Sequence, residues 1–98
     1  MPASPYSRRE FEWDERKNAR NTAKHGLSFE EAIEIFDGRL LLQVDDRREY
    51  DEEWIKALGT IGGAVYHVVC TERGARIRII SATKASLEER RAYRAVYT

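Results

Sequence analysis

The chain of 98 residues contains one cysteine, one methionine and two prolines, and its 17 basic and 17 acidic side chains leave no net charge. Each scarcity excludes something. Cys70 cannot close an internal disulfide and has no second cysteine with which to build a thiolate metal site, which points to a reducing, cytoplasmic setting. Both prolines fall within "MPASPYSRR", residues 1–9, a stretch without periodicity that reads as a flexible tail. Residues 10–98 are then long enough for one domain with one core. No apolar run approaches the roughly 20 residues that cross a bilayer, and no signal-peptide pattern opens the sequence. A neutral chain is also a poor indiscriminate binder of nucleic acid.

What is present is a charge-rich globular composition, 42% hydrophobic and 35% charged, with the signs unevenly spread. Residues 1–25 carry six basic and four acidic side chains, residues 26–72 four and eleven, and residues 73–98 seven and two. A basic end region beside an acidic middle suits an anionic partner at one surface and a cationic one at another, or two patches that neutralise each other.

Local signals predict the elements in order. "EFEW" alternates polar and aromatic residues, as in a short edge strand with Phe11 and Trp13 on one face. Asp14 is placed as the N-cap of a helix over Glu15 to Lys24, with the basic Lys24 and His25 in its last turn and Gly26 as its left-handed stop. Ser28 and Glu31 form a capping box, Leu27 and Ala32 are spaced as a hydrophobic staple, and Phe29, Ala32, Ile33 and Phe36 form the stripe of a core-facing second helix. "RLLLQV" reads as a strand and the acidic "DDRREYDEE" after it as an exposed loop. "EWIKALGTI" and "AVYHVVCT" flank Gly62-Gly63, a two-residue hairpin signal. "GARIRIISAT" alternates, with Ile77 and Ile79 opposite Arg76 and Arg78 and Gly74 in the preceding turn. Ser86 and Glu89 form a second capping box, opening a last helix, "LEERRAYRAVY". Strand, two helices, four strands and a helix with short connections imply an α+β fold on an antiparallel sheet of four to five strands.

The sequence contains no H-E-x-x-H, Gly-rich phosphate loop, Ser-His-Asp set or Cys/His cluster, which disfavours a metalloenzyme or a nucleotide-dependent enzyme. Four pieces in order, "FEWDERKNARNTAKHGLSFEEA", "ALGTIGG", "VVCTERGARIRIISATKA" and "ERRAY", resemble the BrnT family of bacterial toxins from about Phe11 to Tyr93. The resemblance implies a RelE-like fold and a type II toxin–antitoxin ribonuclease needing no cofactor. It also implies a ribbon-helix-helix antitoxin of the BrnA type as partner, with operator DNA bound only through that antitoxin. The chain departs from the family pattern at Thr83, where an arginine is common, and at Glu53-Trp54, where an arginine often precedes an aromatic residue. Both departures remove a cation.

Metal-free RNA cleavage uses the substrate's 2′-hydroxyl as nucleophile, so the protein must supply a base, an acid and cations for the phosphorane. Arginine's fork matches two phosphate oxygens, and histidine titrates near neutrality. With the resemblance, Lys24, His25, Arg76, Arg78 and Lys84 are the candidate catalytic residues, and Arg90, Arg91 and Tyr93 the candidate RNA-binding residues. Each has a plainer reading: Lys24 and His25 as helix-end cations, Arg76 and Arg78 as a solvated sheet face, Arg90, Arg91 and Arg94 as exposed helix charge, and Tyr93 as an apolar anchor. His67, between Val65 and Val69, reads as a core or strand-edge residue, and Glu49, Glu52 and Glu53 are alternative bases. The leading expectation is a translation-inhibiting endoribonuclease held in check by its antitoxin. The second is a weakened homologue that only binds the antitoxin and tunes operon repression.

Overall fold

The computed structural model describes residues 10–49 and 52–97, without the side chains of 46–49. The expected tail at 1–9, the apex of the acidic stretch and Glu49 as a base lie outside the described residues. Five strands form one sheet in the order β1-β5-β4-β3-β2, where β1 is Glu10–Glu12, β2 Leu41–Glu49, β3 Glu52–Ile61, β4 Ala64–Arg73 and β5 Arg76–Lys84. The last four strands form the antiparallel meander that their short connections imply. The first does not follow the antiparallel rule. β1 pairs in parallel with β5, Phe11 beside Ile77, so the sheet is mixed.

The helices form where their caps are. Helix α1, Glu15–His25, starts at Asp14, whose carboxylate accepts from the Arg16 and Lys17 amides, and stops at Gly26 with φ 68°. Helix α2 covers only Phe29–Ala32 behind the Ser28–Glu31 box, and a 3₁₀ turn, Ile33–Asp37, continues it. The expected long second helix is therefore corrected to a single α turn plus a tighter one. The tighter winding still buries Ile35 and Phe36 beside Phe29 and Ala32, and a helix with β-branched Ile33 and Ile35 resists it less. Helix α3, Leu87–Val96, opens at the Ser86–Glu89 box.

The two sheet faces differ. One is covered by α1, α2 and the 3₁₀ turn, and its core contains Phe29, Phe36, Ala57, Val68, Cys70, Ile77, Ile79 and Ala82. The other is covered only at one end, where Tyr93 of α3 packs on Leu58, Val65 and Ala85. Tyr93 and Tyr97 donate their hydroxyls to the carbonyls of Arg39 and Leu40, which fastens α3 to the chain entering β2. The stretch read as an exposed acidic loop is instead the far half of the β2–β3 hairpin, with Asp45 opposite Trp54 and Glu49 opposite Glu52. Ladder hydrogen bonds use backbone groups, so a run of charged residues does not by itself prevent pairing. No helix among the described residues is long and apolar enough to cross a membrane.

Gly59 shows how closely the layers meet. A Cβ there would lie 2.7 Å from Ile35 Cβ and 3.3 Å from the Ile35 carbonyl oxygen. Gly59→Ala should therefore push the 3₁₀ turn off the sheet and cost about 1–3 kcal/mol, read as a lower midpoint in denaturant with an unchanged slope.

Candidate functional site

Helix α1 runs along the outer edge of β5 beyond the point where β1 stops. β1 pairs only with Arg76 to Arg78, and four residues further on Ala82 has both of its backbone groups taken by Asn21. The Asn21 amide donates to the Ala82 carbonyl (2.8 Å) and to the Leu27 carbonyl (2.9 Å), while its oxygen accepts the Ala82 N–H (3.1 Å). One turn earlier, Asn18 accepts the Phe29 N–H and donates to Glu30. These two buried asparagines fix the end of α1 to the sheet and to the start of α2. Sequence reasoning passed over them, since asparagine within a helix reads as exposed. Their spacing at i, i+3 on the face otherwise expected to be apolar is the signal that could have found them.

This docking carries the "AKHG" turn to the far end of β5. His25 Nδ1 lies 3.3 Å from the Thr83 hydroxyl. Lys24 and His25, with Arg20 and Lys17 one and two turns back, line a groove of about 320 Å³ against Ile80 and Ser81. At the other end of α1 the Lys17 and Arg16 amides hold the Asp14 carboxyl below its ordinary range, with a smaller contribution from Arg78. A basic ridge thus borders β5 from Arg78 to Thr83.

On the uncovered face the residues stand in cross-strand rows. Thr83 is opposite His67, and His67 opposite Leu58; Ser81, Val69, Lys56 and Gln43 form the next row, and beyond it Arg78 is opposite Thr71 and Trp54 opposite Asp45. Arg76 and Arg78 share this face, as the alternation predicts, while Ile77 and Ile79 are buried on the other. Both arginines are already engaged. Arg78 donates to Glu12 (2.8 Å) and Arg76 contacts Glu10 (3.3 Å), while Arg73 pairs with Glu52. The Arg76–Glu10 pair is exposed, and such pairs contribute about 0–1 kcal/mol, whereas Arg78–Glu12 is half-buried.

The expected residues do not converge on one point. At about 3.3 Å per residue, Arg76 and Thr83 stand roughly 20 Å apart along β5, too far for the arginines and the Lys24–His25 turn to act on one atom. Lys84 is the last residue of β5, not past it, and is opposite Tyr66, whose ring packs in the helix-covered core; it therefore points away from the arginines. Arg90 and Arg91 are exposed on α3. Tyr93 is 3% exposed, with Tyr97 against its ring at 5.0 Å and the Arg94 guanidinium at 5.8 Å. It is the anchor of α3 and has no free face on which a base could stack. Trp54 is half-buried on the open face, its indole N–H toward Glu52.

Glu89, read from the sequence only as a capping residue, is the third residue whose role was missed. Its carboxylate caps Ser86 (2.9 Å) and also contacts Lys56 Nζ (2.9 Å) and His67 Nδ1 (3.0 Å). Burial by itself would raise this carboxyl, but the Ser86 amide, the Lys56 ammonium and the His67 ring outweigh it and hold it at about 2. A depressed carboxyl stabilises the fold above its unfolded value of 4.5 and loses that contribution as pH falls toward 2. Glu89→Gln should therefore flatten the loss of stability between those values, by at most about 3 kcal/mol, in melts taken as a function of pH. Burial, with a smaller effect of Glu72, raises the Cys70 thiol to about 12, so it is an inert core group.

The fold is thus a mixed α+β sheet with a basic helix along the β5 edge and cations, histidines and an indole on the face that α3 covers only at one end. The sequence model of the BrnT family, described as the ribonuclease toxin BrnT of type II toxin–antitoxin systems, matches residues 13–89, and the chain belongs to that family. A search among curated proteins returned no match. Membership makes it a toxin of the ribonuclease class and implies an antitoxin partner.

Proposed function

We propose that this protein is a metal-independent endoribonuclease that cuts RNA in the cytoplasm, inhibits translation and is silenced by a ribbon-helix-helix antitoxin of the BrnA type. In this reading the chain meets operator DNA only through that antitoxin. The observation that carries it is the placement of the Lys24–His25 turn against β5, on the same strand that bears Arg76 and Arg78. Phosphates lie along the β5 edge, gripped by Arg76 and Arg78 at one end and by Lys17, Arg20 and Lys24 at the other. Arg90 and Arg91 on α3 extend the cationic surface, and Lys84 adds charge from the helix side. The acidic β2–β3 hairpin stays clear of RNA and faces the cationic elements of a partner.

Expression without the antitoxin should arrest growth, and co-expression with a small ribbon-helix-helix protein encoded beside it should restore growth and yield a co-purifying complex. The weakened-toxin reading rests on Thr83, which sets a hydroxyl where the family pattern often has a guanidinium, and on the carboxylates that occupy Arg76 and Arg78. It predicts normal growth without the partner but the same complex.

A further inference from the structure

The chain has two histidines, and the fold brings both to Thr83. His25 reaches it from the end of α1 through the 3.3 Å contact with the hydroxyl. His67 is its direct cross-strand neighbour, so both side chains lie on the same face, at the margin of the end that α3 covers, with Cβ atoms about 4.5–5.5 Å apart. Neither placement follows from local sequence: 42 residues separate the histidines, and β5 joins them.

Their surroundings differ in a way that assigns chemistry. Glu89 is a carboxylate at neutral pH and can only accept, so the proton in the 3.0 Å contact sits on His67 Nδ1. That leaves Nε2 as the proton-accepting atom of the neutral ring. A histidine with a carboxylate on Nδ1 and a free Nε2 is the arrangement of an oriented general base. Lys56 shares the same carboxylate and places an ammonium in the adjacent row of the open face.

We propose that His67, oriented by Glu89, is the general base of RNA cleavage and that His25, held by Thr83, is the general acid. The proposal rests on the ribonuclease reading above and supplies the base which that reading lacks. In the step, His67 Nε2 takes the proton of the 2′-hydroxyl and the 2′-oxygen forms a bond to the adjacent phosphorus. The bond from phosphorus to the 5′-oxygen breaks, and that oxygen takes a proton from the His25 imidazolium. The products are a 2′,3′-cyclic phosphate and a 5′-hydroxyl, with one proton moved from His25 to His67 and no oxidant, metal or water consumed. Lys56 and Lys24 flank the phosphorane as point charges. Thr83 is on this view a positioning residue, and the fold uses its hydroxyl where the family pattern has a guanidinium.

The test is single-turnover cleavage of an end-labelled RNA oligonucleotide in a chelator, with RNA affinity and melting temperature measured on every variant. His67→Asn should lose about 10²–10⁴-fold in rate with affinity within about threefold of wild type. Glu89→Gln, which keeps a capping-box acceptor, should slow cleavage about tenfold and change the shape of the pH–rate profile, an effect a purely structural role would not produce. Should His67→Asn fold poorly, His67→Gly with added imidazole supplies the second reading, and recovery of cleavage is expected. Cleavage by His67→Asn within twofold of wild type, or no recovery with imidazole, overturns the assignment while leaving the ribonuclease reading intact. A wild-type protein that binds RNA but never cleaves it overturns both.

Discussion

Asn21→Ala should lower the melting temperature by more than about 10 °C, one of the largest single-residue losses available outside the apolar core. The substitution removes three hydrogen bonds at a site that is 8% exposed, and it orphans the Leu27 carbonyl and both backbone groups of Ala82. A buried polar group left without its partner costs about 1–3 kcal/mol, and partial entry of water at the β5 edge brings the sum to roughly 2–5 kcal/mol. About 4–8 °C per kcal/mol is the scale for a domain of this size. Asn21→Asp should be equally damaging despite its matching shape, because a carboxylate cannot donate to the two carbonyls and is repelled by them. Thermal melts of the two variants check this. A fall of less than about 4 °C in both would show that α1 is held to β5 by something other than this side chain.

Lys24→Ala and His25→Ala should behave in the opposite way, abolishing growth arrest while moving the melting temperature by only a few degrees. Both side chains are exposed at the end of α1, where a cation complements the helix dipole by about 0.3–1 kcal/mol. Their activity loss should be large because the turn is fixed: Gly26 closes α1 through its N–H to Thr22 at 2.8 Å, and the Ser28 box begins α2 two residues later. Gly26→Val separates the two roles. A side chain there meets no atom within 4 Å, so its whole cost lies in forcing a β-branched residue to φ 68°. Growth assays paired with melts distinguish the outcomes. Persistent toxicity in both alanine variants, with Gly26→Val as the only harmful change, would reduce the turn to a helix stop.

Much of this architecture is legible in the sequence, because its signals are local. The Asp14 cap, the Gly26 stop, both Ser-x-x-Glu boxes, the Gly62-Gly63 hairpin and the alternation of Arg76, Ile77, Arg78 and Ile79 each involve residues within a few positions, and each is found in place. What was not legible depends on partners distant in the chain. The parallel pairing of β1 with β5 joins residues 66 apart, and nothing in "EFEW" specifies which edge it takes. Asn18 and Asn21 look solvated until Phe29 and Ala82 arrive to satisfy them. The stripe over residues 29–36 predicts burial correctly at Phe29, Ala32 and Phe36 but not the winding, and the 3₁₀ turn leaves Ile33 half-buried and buries Ile35 in its place.

The candidate site divides along the same line. That Arg76 and Arg78 share a face follows from strand period, but their capture by Glu10 and Glu12 does not. Tyr93 in "ERRAY" is equally able to stack a base or to anchor a helix until Leu58 and Val65 close over it. Glu89 is visible as a cap, yet its second face, toward His67 and Lys56, exists only because α3 crosses β3 and β4.

The proposed cleavage of RNA on the sheet face beside β5 needs protein groups alone. The direct measurement is incubation of the purified, antitoxin-free protein with RNA in excess chelator, followed by chemical analysis of the new 3′ ends. Fragments should end in 2′,3′-cyclic phosphate and form at the same rate with and without the chelator. Intact RNA at any protein excess, or cleavage that stops in the chelator and leaves 3′-hydroxyl ends, would contradict it.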